Sequence, residues 1–224
     1  FHYAFWAGKI AMEHMTPVLL LSDGFIANGS EPWRIPSMKE YPKITPPIVT
    51  RAPEGGFQPY ARDEKRLARM WALPGTKGVE HRVGGLEKDS LSGAVSHDPE
   101  NHERMVGLRA AKVARVQDFI PKQEVVGGRR GELLVVGWGG TYGHLLTAVR
   151  ELQRRGEQVS LPRGVREIFS RFRRIVVCEL NSGQFAGYLR QQFQEFEFLQ
   201  YNKIQGLPFT VTELGDEFAR LLKS

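Results

Sequence analysis

The sequence predicts an α/β fold, an open sheet of parallel strands with helices packed on it. Three observations carry this. An apolar run at 133–137 ends in glycines and enters a helical run at 142–154. A second apolar run at 175–180 ends in the polar turn Asn181-Ser-Gly-Gln184 and enters another helix. Strand and helix patterns then alternate through the last hundred residues or so, as parallel βαβ units do.

Taken in order, Ala4, Ala7, Ile10 and Ala11 recur at helical spacing, and Pro17 forbids helix in its predecessor. A helix therefore feeds a strand at 18–21, which Ser22-Asp23-Gly24 ends. One helix and one strand do not make a domain, so residues 1–36 read as the last αβ unit of a larger α/β domain whose earlier strands are absent from this sequence. Asp23, a lone carboxylate beside a glycine turn, reads as a turn or helix cap rather than a metal ligand.

Residues 37–100 break the rhythm with prolines at 42, 46, 47, 53 and 59 and with Gly55-Gly56, Gly75, Gly78 and Gly84-Gly85. A stretch of that kind reads as an extended arm lying on a partner, with short helical pieces at 64–70. Asp98-Pro-Glu-Asn101 starts a helix that runs through Met105, Leu108 and Val113 toward Phe119. From 129 to 224 the expected elements are a strand at 133–137, a helix at 142–154 ended by Gly156 and a strand remnant at 159–161. A helix at 163–172, a strand at 175–180, a helix at 183–192 and a strand at 196–200 follow. An amphipathic helix at 212–222, capped by Thr212, closes the chain.

With 224 residues, 41% of them hydrophobic, the chain can bury a sizeable core. No apolar run approaches the length of a membrane span and no signal-type segment is visible, so the expectation is a cytoplasmic protein without a membrane partner. The single cysteine, Cys178, excludes an internal disulfide and cannot alone hold an iron–sulfur cluster or a structural zinc. Its place in an apolar strand makes it a small buried hydrophobe. The net charge of +6 would permit contact with nucleic acid. Its basic pairs lack the interleaved aromatics of an RNA-binding sheet, so no nucleic-acid partner is expected. His81, His97 and His102, with Asp98 and Glu103, match no metal-ligand spacing and read as turns and caps.

A glycine-rich strand-to-helix turn suggests a dinucleotide, whose pyrophosphate would sit at the helix N-terminus. The spacing opposes it. A G-x-G-x-x-G pattern begun at Gly137 needs a small residue where Tyr142 stands, and Glu157 comes too early to be the ribose-binding carboxylate.

Several blocks then occur in a telling order: Thr16-Pro-Val-Leu-Leu-Leu-Ser-Asp-Gly24, Pro74-Gly75, Gly84-Gly-Leu-Glu87, Asp98-Pro-Glu-Asn-His102, Gly137-Trp-Gly139, Glu179-Leu-Asn-Ser-Gly-Gln184 and Asn202-Lys-Ile-Gln-Gly206. Together, over nearly the whole chain, they resemble the C-terminal part of the alpha subunit of 2-oxoacid:acceptor oxidoreductases of the 2-oxoglutarate:ferredoxin type. The resemblance implies an enzyme complex that oxidatively decarboxylates a 2-oxoacid with thiamine diphosphate, passes electrons through a 4Fe-4S cluster to ferredoxin and forms an acyl-coenzyme A. It implies three parts: 1–36, the end of a pyrimidine-type thiamine diphosphate domain; 37–128, the arm and connecting helix; and 129–224, a transketolase C-terminal-like three-layer αβα domain. The diphosphate, its magnesium and the cluster would belong to the beta subunit, so that no cofactor is bound by this chain alone.

The family's Tyr-Pro-Ile-Thr-Pro substrate motif and its Arg- and Gly-rich segment belong upstream of Phe1, so no catalytic residue is assigned here. At 159–162 the family continues its strand into a further Leu-Pro segment that is missing in this chain, and one sheet strand is expected to be short. 2-Oxoglutarate is the favoured substrate, with pyruvate and branched-chain 2-oxoacids open.

The candidate site residues are Gly137, Gly139 and Gly140 at one strand end and Asn181, Gly183 and Gln184 at the next. Parallel strand ends line up, so the two turns should lie at one edge of the sheet. They are expected either to meet the partner subunit or a ligand or to serve packing alone. The competing functional class is a free-standing α/β ligand-binding or regulatory module, which rests only on the glycine turn.

Overall fold

Leu133, Leu134 and Val135 and their neighbours Val176 and Val177 expose almost no side-chain surface. In the computed structural model of the chain, the strands that carry them lie side by side in the middle of a five-stranded sheet. The structure describes residues 1–122, 124–162 and 166–223. In chain order the elements are α1 (His2–His14), α2 (Gly24–Asn28), β1 (Ile48–Val49), β2 (Trp71–Ala72), α3 (Pro99–Arg115), β3 (Val125–Val126) and β4 (Gly131–Val136). Then come α4 (Tyr142–Arg154), β5 (Val159–Pro162), α5 (Arg166–Phe169), β6 (Phe172–Glu179), α6 (Gln184–Gln192), β7 (Phe198–Asn202) and α7 (Val211–Lys223). They divide between two units, Phe1–Leu21 with Trp33–Pro121 and Ser22–Pro32 with Lys122–Ser224.

In the second unit the sheet order is β3-β5-β4-β6-β7. All neighbours are parallel except β3, which pairs antiparallel with β5 at the edge. The strand period of two sorts the side chains. Leu133, Val135, Val176 and Cys178 point to one face, where Leu145, Val149 and Leu152 of α4 and Leu214, Phe218 and Leu221 of α7 cover them. Leu134, Val136, Ile175 and Val177 point to the other, under Ile168 and Phe169 of α5 and Ala186 and Leu189 of α6. Strands buried on both faces must read as continuous apolar runs, and these do. The predicted α/β class is therefore borne out, with helices on both faces of a mixed, mainly parallel sheet.

The first unit is built around two helices and a long irregular segment. Asp98 accepts from the Glu100 N–H at 3.1 Å and caps α3, as its position predicts. Buried Asn101 on α3 accepts from the Ser90 N–H at 3.0 Å and donates to the Lys88 carbonyl at 2.9 Å, fastening the irregular segment to the helix. Buried Glu13 does the same for α1, receiving Lys9 Nζ at 2.5 Å and the Thr45 N–H at 2.8 Å.

Several expectations need correction. Residues 18–21 form no strand: no described strand pairs with them, and Leu19 and Leu21 are 89% and 86% exposed. An apolar run becomes a strand only when another backbone completes its ladder. Residues 64–70 form a turn, not a helix, because Asp63 captures the N–H groups of Lys65, Arg66 and Ala68 at 3.0, 2.7 and 3.0 Å. The expected helix at 163–172 falls partly outside the described residues, and what is described is the short α5 before β6 begins at Phe172. The strand expected at 196–200 sits two residues later, as β7. Thr210, not Thr212, caps α7: its hydroxyl accepts from the Glu213 N–H at 3.2 Å, and Glu213 accepts from the Thr210 N–H at 3.0 Å, a reciprocal capping box. Among the described residues, no helix is long and apolar enough to cross a membrane.

Candidate functional site

β4 and β6 run parallel with Val136 opposite Val177, so the turns that follow them leave the same edge of the sheet, as the strand-end rule predicts. The first is a 3-10 turn at Gly139–Thr141 leading into α4. A Cβ on Gly137 would lie 2.1 Å from Leu145 Cδ1 and 2.9 Å from Thr141 Oγ1, so a larger residue there would have to displace the buried Leu145 side chain. Gly139 has φ +61°, and a Cβ there would lie 2.3 Å from Asp23 Oδ2. The Gly140 N–H donates to that same oxygen. The other Asp23 oxygen accepts from the Ile26 N–H at 2.9 Å and caps α2, which makes Asp23 the cap its sequence position predicted. A carboxylate from within the chain thus occupies an amide that a strand-to-helix turn would otherwise offer to an anion.

The second turn is organised by a residue that sequence reasoning missed. Glu179, the last residue of β6, is 1% exposed, and its carboxylate accepts from the N–H groups of Phe185 and Ala186 at 2.9 and 3.0 Å. Asn181 Nδ2 donates to it at 3.2 Å. A buried carboxylate at a helix N-terminus satisfies orphan N–H groups and complements the helix dipole. The available signal was its spacing, a lone carboxylate at an apolar strand's end six and seven residues before the N–H groups it receives.

Asn181 Oδ1 accepts from the N–H groups of Gly183 and Gln184 at 2.7 and 3.2 Å, closing the turn on itself. Gly183 has φ +98°, and a Cβ there would lie 1.9 Å from Gln200 Nε2. The side chain of Gln184 lies exposed. Of the six candidate residues, the three at the first turn and Gly183 are thus fitted to neighbours within the chain, Asn181 is engaged inside its own turn, and Gln184 faces outward.

Cys178 is buried, and burial, with Glu217 and Glu179 in support, pushes its thiol well above the ordinary range, as a structural cysteine requires. His81 meets the Val79 carbonyl at 2.9 Å and His102 meets Glu87 at 2.5 Å, while Asp98 caps α3. Among the described residues, no three His, Cys, Asp or Glu side chains are grouped so as to hold a metal ion.

Geometry therefore defines a class first: a mainly parallel α/β unit whose strand-end turns are closed by carboxylates of the chain itself. Comparison then gives kinship. No family model matches the chain. It is 42% identical over 225 aligned positions to the 2-oxoglutarate oxidoreductase subunit KorA of Mycobacterium tuberculosis, an alignment covering 96% of this chain and 34% of that one. It is 25% identical over 194 positions to the 2-oxoglutarate synthase subunit KorA of Methanothermobacter marburgensis, covering 82% of this chain and 50% of that subunit. The fold matches a solved 2-oxoglutarate:ferredoxin oxidoreductase from Magnetococcus marinus, with 2-oxoglutarate, coenzyme A and succinyl-CoA bound, at a TM-score of 0.83 and 25% identity. That match covers 96% of this chain and 39% of the other. The chain is thus related over nearly its whole length to the alpha subunits of 2-oxoacid oxidoreductases, as its motif blocks implied, and it spans about a third of the length of the Mycobacterium relative.

Proposed function

We propose that this chain is part of the alpha subunit of a 2-oxoacid:ferredoxin oxidoreductase that acts on 2-oxoglutarate. The observation that carries this is the 42% identity maintained over 96% of the chain, supported by the fold match to a 2-oxoglutarate:ferredoxin oxidoreductase. The reaction would be the oxidative decarboxylation of the 2-oxoacid, with its acyl group transferred to coenzyme A and its electrons to ferredoxin. The same reading makes it a cytoplasmic complex.

In such a complex thiamine diphosphate with magnesium supplies the decarboxylation chemistry, and a 4Fe-4S cluster carries the electrons. The residues of this chain do not fit the cluster, because thiolate ligation needs several cysteines and the only one, Cys178, is sealed in the core. A beta subunit would hold these groups. The domain reading that goes with this takes 1–36 as the end of a pyrimidine-type thiamine diphosphate domain, 37–128 as the arm and connecting helix, and 129–224 as a transketolase C-terminal-like domain. Regular α/β alternation in the last part supports it. The role proposed for Gly137, Gly139, Gly140, Asn181, Gly183 and Gln184 is to shape the sheet edge that the rest of the complex meets, with exposed Gln184 the residue free to make a direct contact.

The test is co-expression of the complete alpha subunit with its beta partner and assay of viologen reduction. Reduction that requires 2-oxoglutarate, coenzyme A and both subunits is expected. No turnover with any 2-oxoacid by a correctly assembled complex would overturn the reading.

A further inference from the structure

The basic pairs that stand apart in the sequence come together in the fold. β4, β5 and β6 are parallel neighbours, so the segments that enter them share the amino-terminal edge of the second unit's sheet. Arg129 and Arg130 precede β4, Arg171 precedes β6, and Arg154 and Arg155 close α4 shortly before β5. Gly131 lies opposite Phe172 and donates its N–H to the Arg171 carbonyl at 3.3 Å, which sets the backbones of Arg130 and Arg171 one strand spacing apart.

A cleft of about 280 Å³ opens at this edge, with Arg130 and Glu157 on its wall and with Gly127, Gly128 and Gly156 adding no side chain to narrow it. It joins the segment entering β4 to the turn that follows Arg155. All five arginines are exposed. Glu132 is taken by Arg173 at 3.3 Å, and Glu151, Glu157 and Glu167 form no ion pair with any of the five among the described residues. The edge therefore carries an excess of positive charge that its own carboxylates do not cancel.

Three classes of polyanion would answer such an edge. Single-stranded nucleic acid is held on aromatic platforms, and a membrane surface is held by apolar side chains inserted beside the cations. Among the described residues this edge exposes neither: Trp138, Leu180 and Ile204 are exposed at the opposite edge, past the carboxyl ends of β4, β6 and β7. Protein carboxylates need only the planar guanidinium forks, which bind them through paired N–H···O bonds. We propose that this edge docks the acidic surface of a separate protein, with one Asp or Glu side chain entering the cleft beside Arg130.

The experiment follows the fluorescence anisotropy of a labelled decaglutamate peptide added to the 224-residue chain across a potassium chloride series. Saturable binding that weakens as salt rises is expected. Arg130→Gln, Arg155→Gln and Arg171→Gln combined should weaken it at least roughly tenfold. Arg51→Gln, Arg82→Gln and Arg104→Gln combined remove the same charge from exposed positions of the first unit and should leave binding within about twofold. Arg129→Gln with Arg154→Gln should also weaken binding and keeps the test open if the first triple variant does not fold. Equal weakening by both triple variants would reduce the effect to net charge and overturn the site, as would the absence of saturable binding. Tighter binding of a single-stranded oligonucleotide or of anionic phospholipid vesicles at matched salt, lost in the same triple variant, would overturn the protein partner. The complete alpha subunit should bind the peptide as the chain does, and loss of binding there would show the edge covered within the subunit and overturn a separate partner. Because the readout is binding and not turnover, this result is separable from failure of the proposed activity.

Discussion

Gly139 and Gly143 are four residues apart and face opposite demands. A methyl group on Gly139 must adopt a positive φ and enter the Asp23 carboxylate, whereas one on Gly143 meets nothing within 4 Å. Gly139→Ala should therefore destabilise by about 1–3 kcal/mol in a denaturant melt. Gly143→Ala should be neutral or gain up to about 1 kcal/mol from helix propensity. Glu179 makes the sharper case. Its replacement by Ala leaves the N–H groups of Phe185 and Ala186 buried without an acceptor, and a loss of about 2–4 kcal/mol is expected. Glycine at a strand-to-helix turn was legible from residue order alone. The acceptor that closes each turn was not, because Asp23 lies 117 residues from Gly140 and no local pattern links them.

At the scale of elements, α1 and α7 are each secured by one carboxylate. Burial alone would raise the Glu13 carboxyl, but the Lys9 ammonium and the Thr45 N–H and hydroxyl outweigh it and hold it below its ordinary 4.5. A depressed folded value means this stabilisation is complete above the unfolded value and is lost as pH falls through the folded one. Stability measured by thermal melts should therefore decline as pH drops below about 4.5, and Glu13→Gln should flatten part of that slope. In α7 the Thr210–Glu213 box closes the helix start, so Thr210→Ala should cost about 1 kcal/mol and Thr212→Ala close to nothing. The amphipathic period of α7 was plain in the sequence. Choosing between two threonines two residues apart was not, since both are acceptable caps and only the direction in which the chain enters the helix separates them.

For the whole molecule, the expected strand at 18–21 is the informative departure. Leu19, Leu20 and Leu21 stand largely exposed, an apolar segment that finds no ladder within the described chain. The alignments cover only 34% and 50% of the lengths of the two KorA relatives, and on the proposed reading the rest of the alpha subunit covers this run. Limited proteolysis should cut the 224-residue chain near residues 18–21 and spare the same bonds in the complete subunit; equal cleavage in both would contradict that expectation. Cys178 offers a check on the sheet core, because a thiol reagent should label it only after denaturation.

Periodicity by itself determined the α/β class, the α3 start at Asp98, the positions of β4, α4 and β6 to within a few residues, and the burial of Cys178. These depend on side-chain spacing along a local backbone. The order of motif blocks determined kinship with the 2-oxoacid oxidoreductase alpha subunits, because such order is inherited along the chain. Tertiary structure alone decided the sheet order β3-β5-β4-β6-β7, the antiparallel edge at β3 and the failure of residues 18–21 to form a strand. It also decided that Asp23 and Glu179 close the two strand-end turns. Each of these is a pairing of groups distant in the chain or held by a fold, and hydrogen-bond donors choose among distant acceptors only once packing has brought them within about 3 Å.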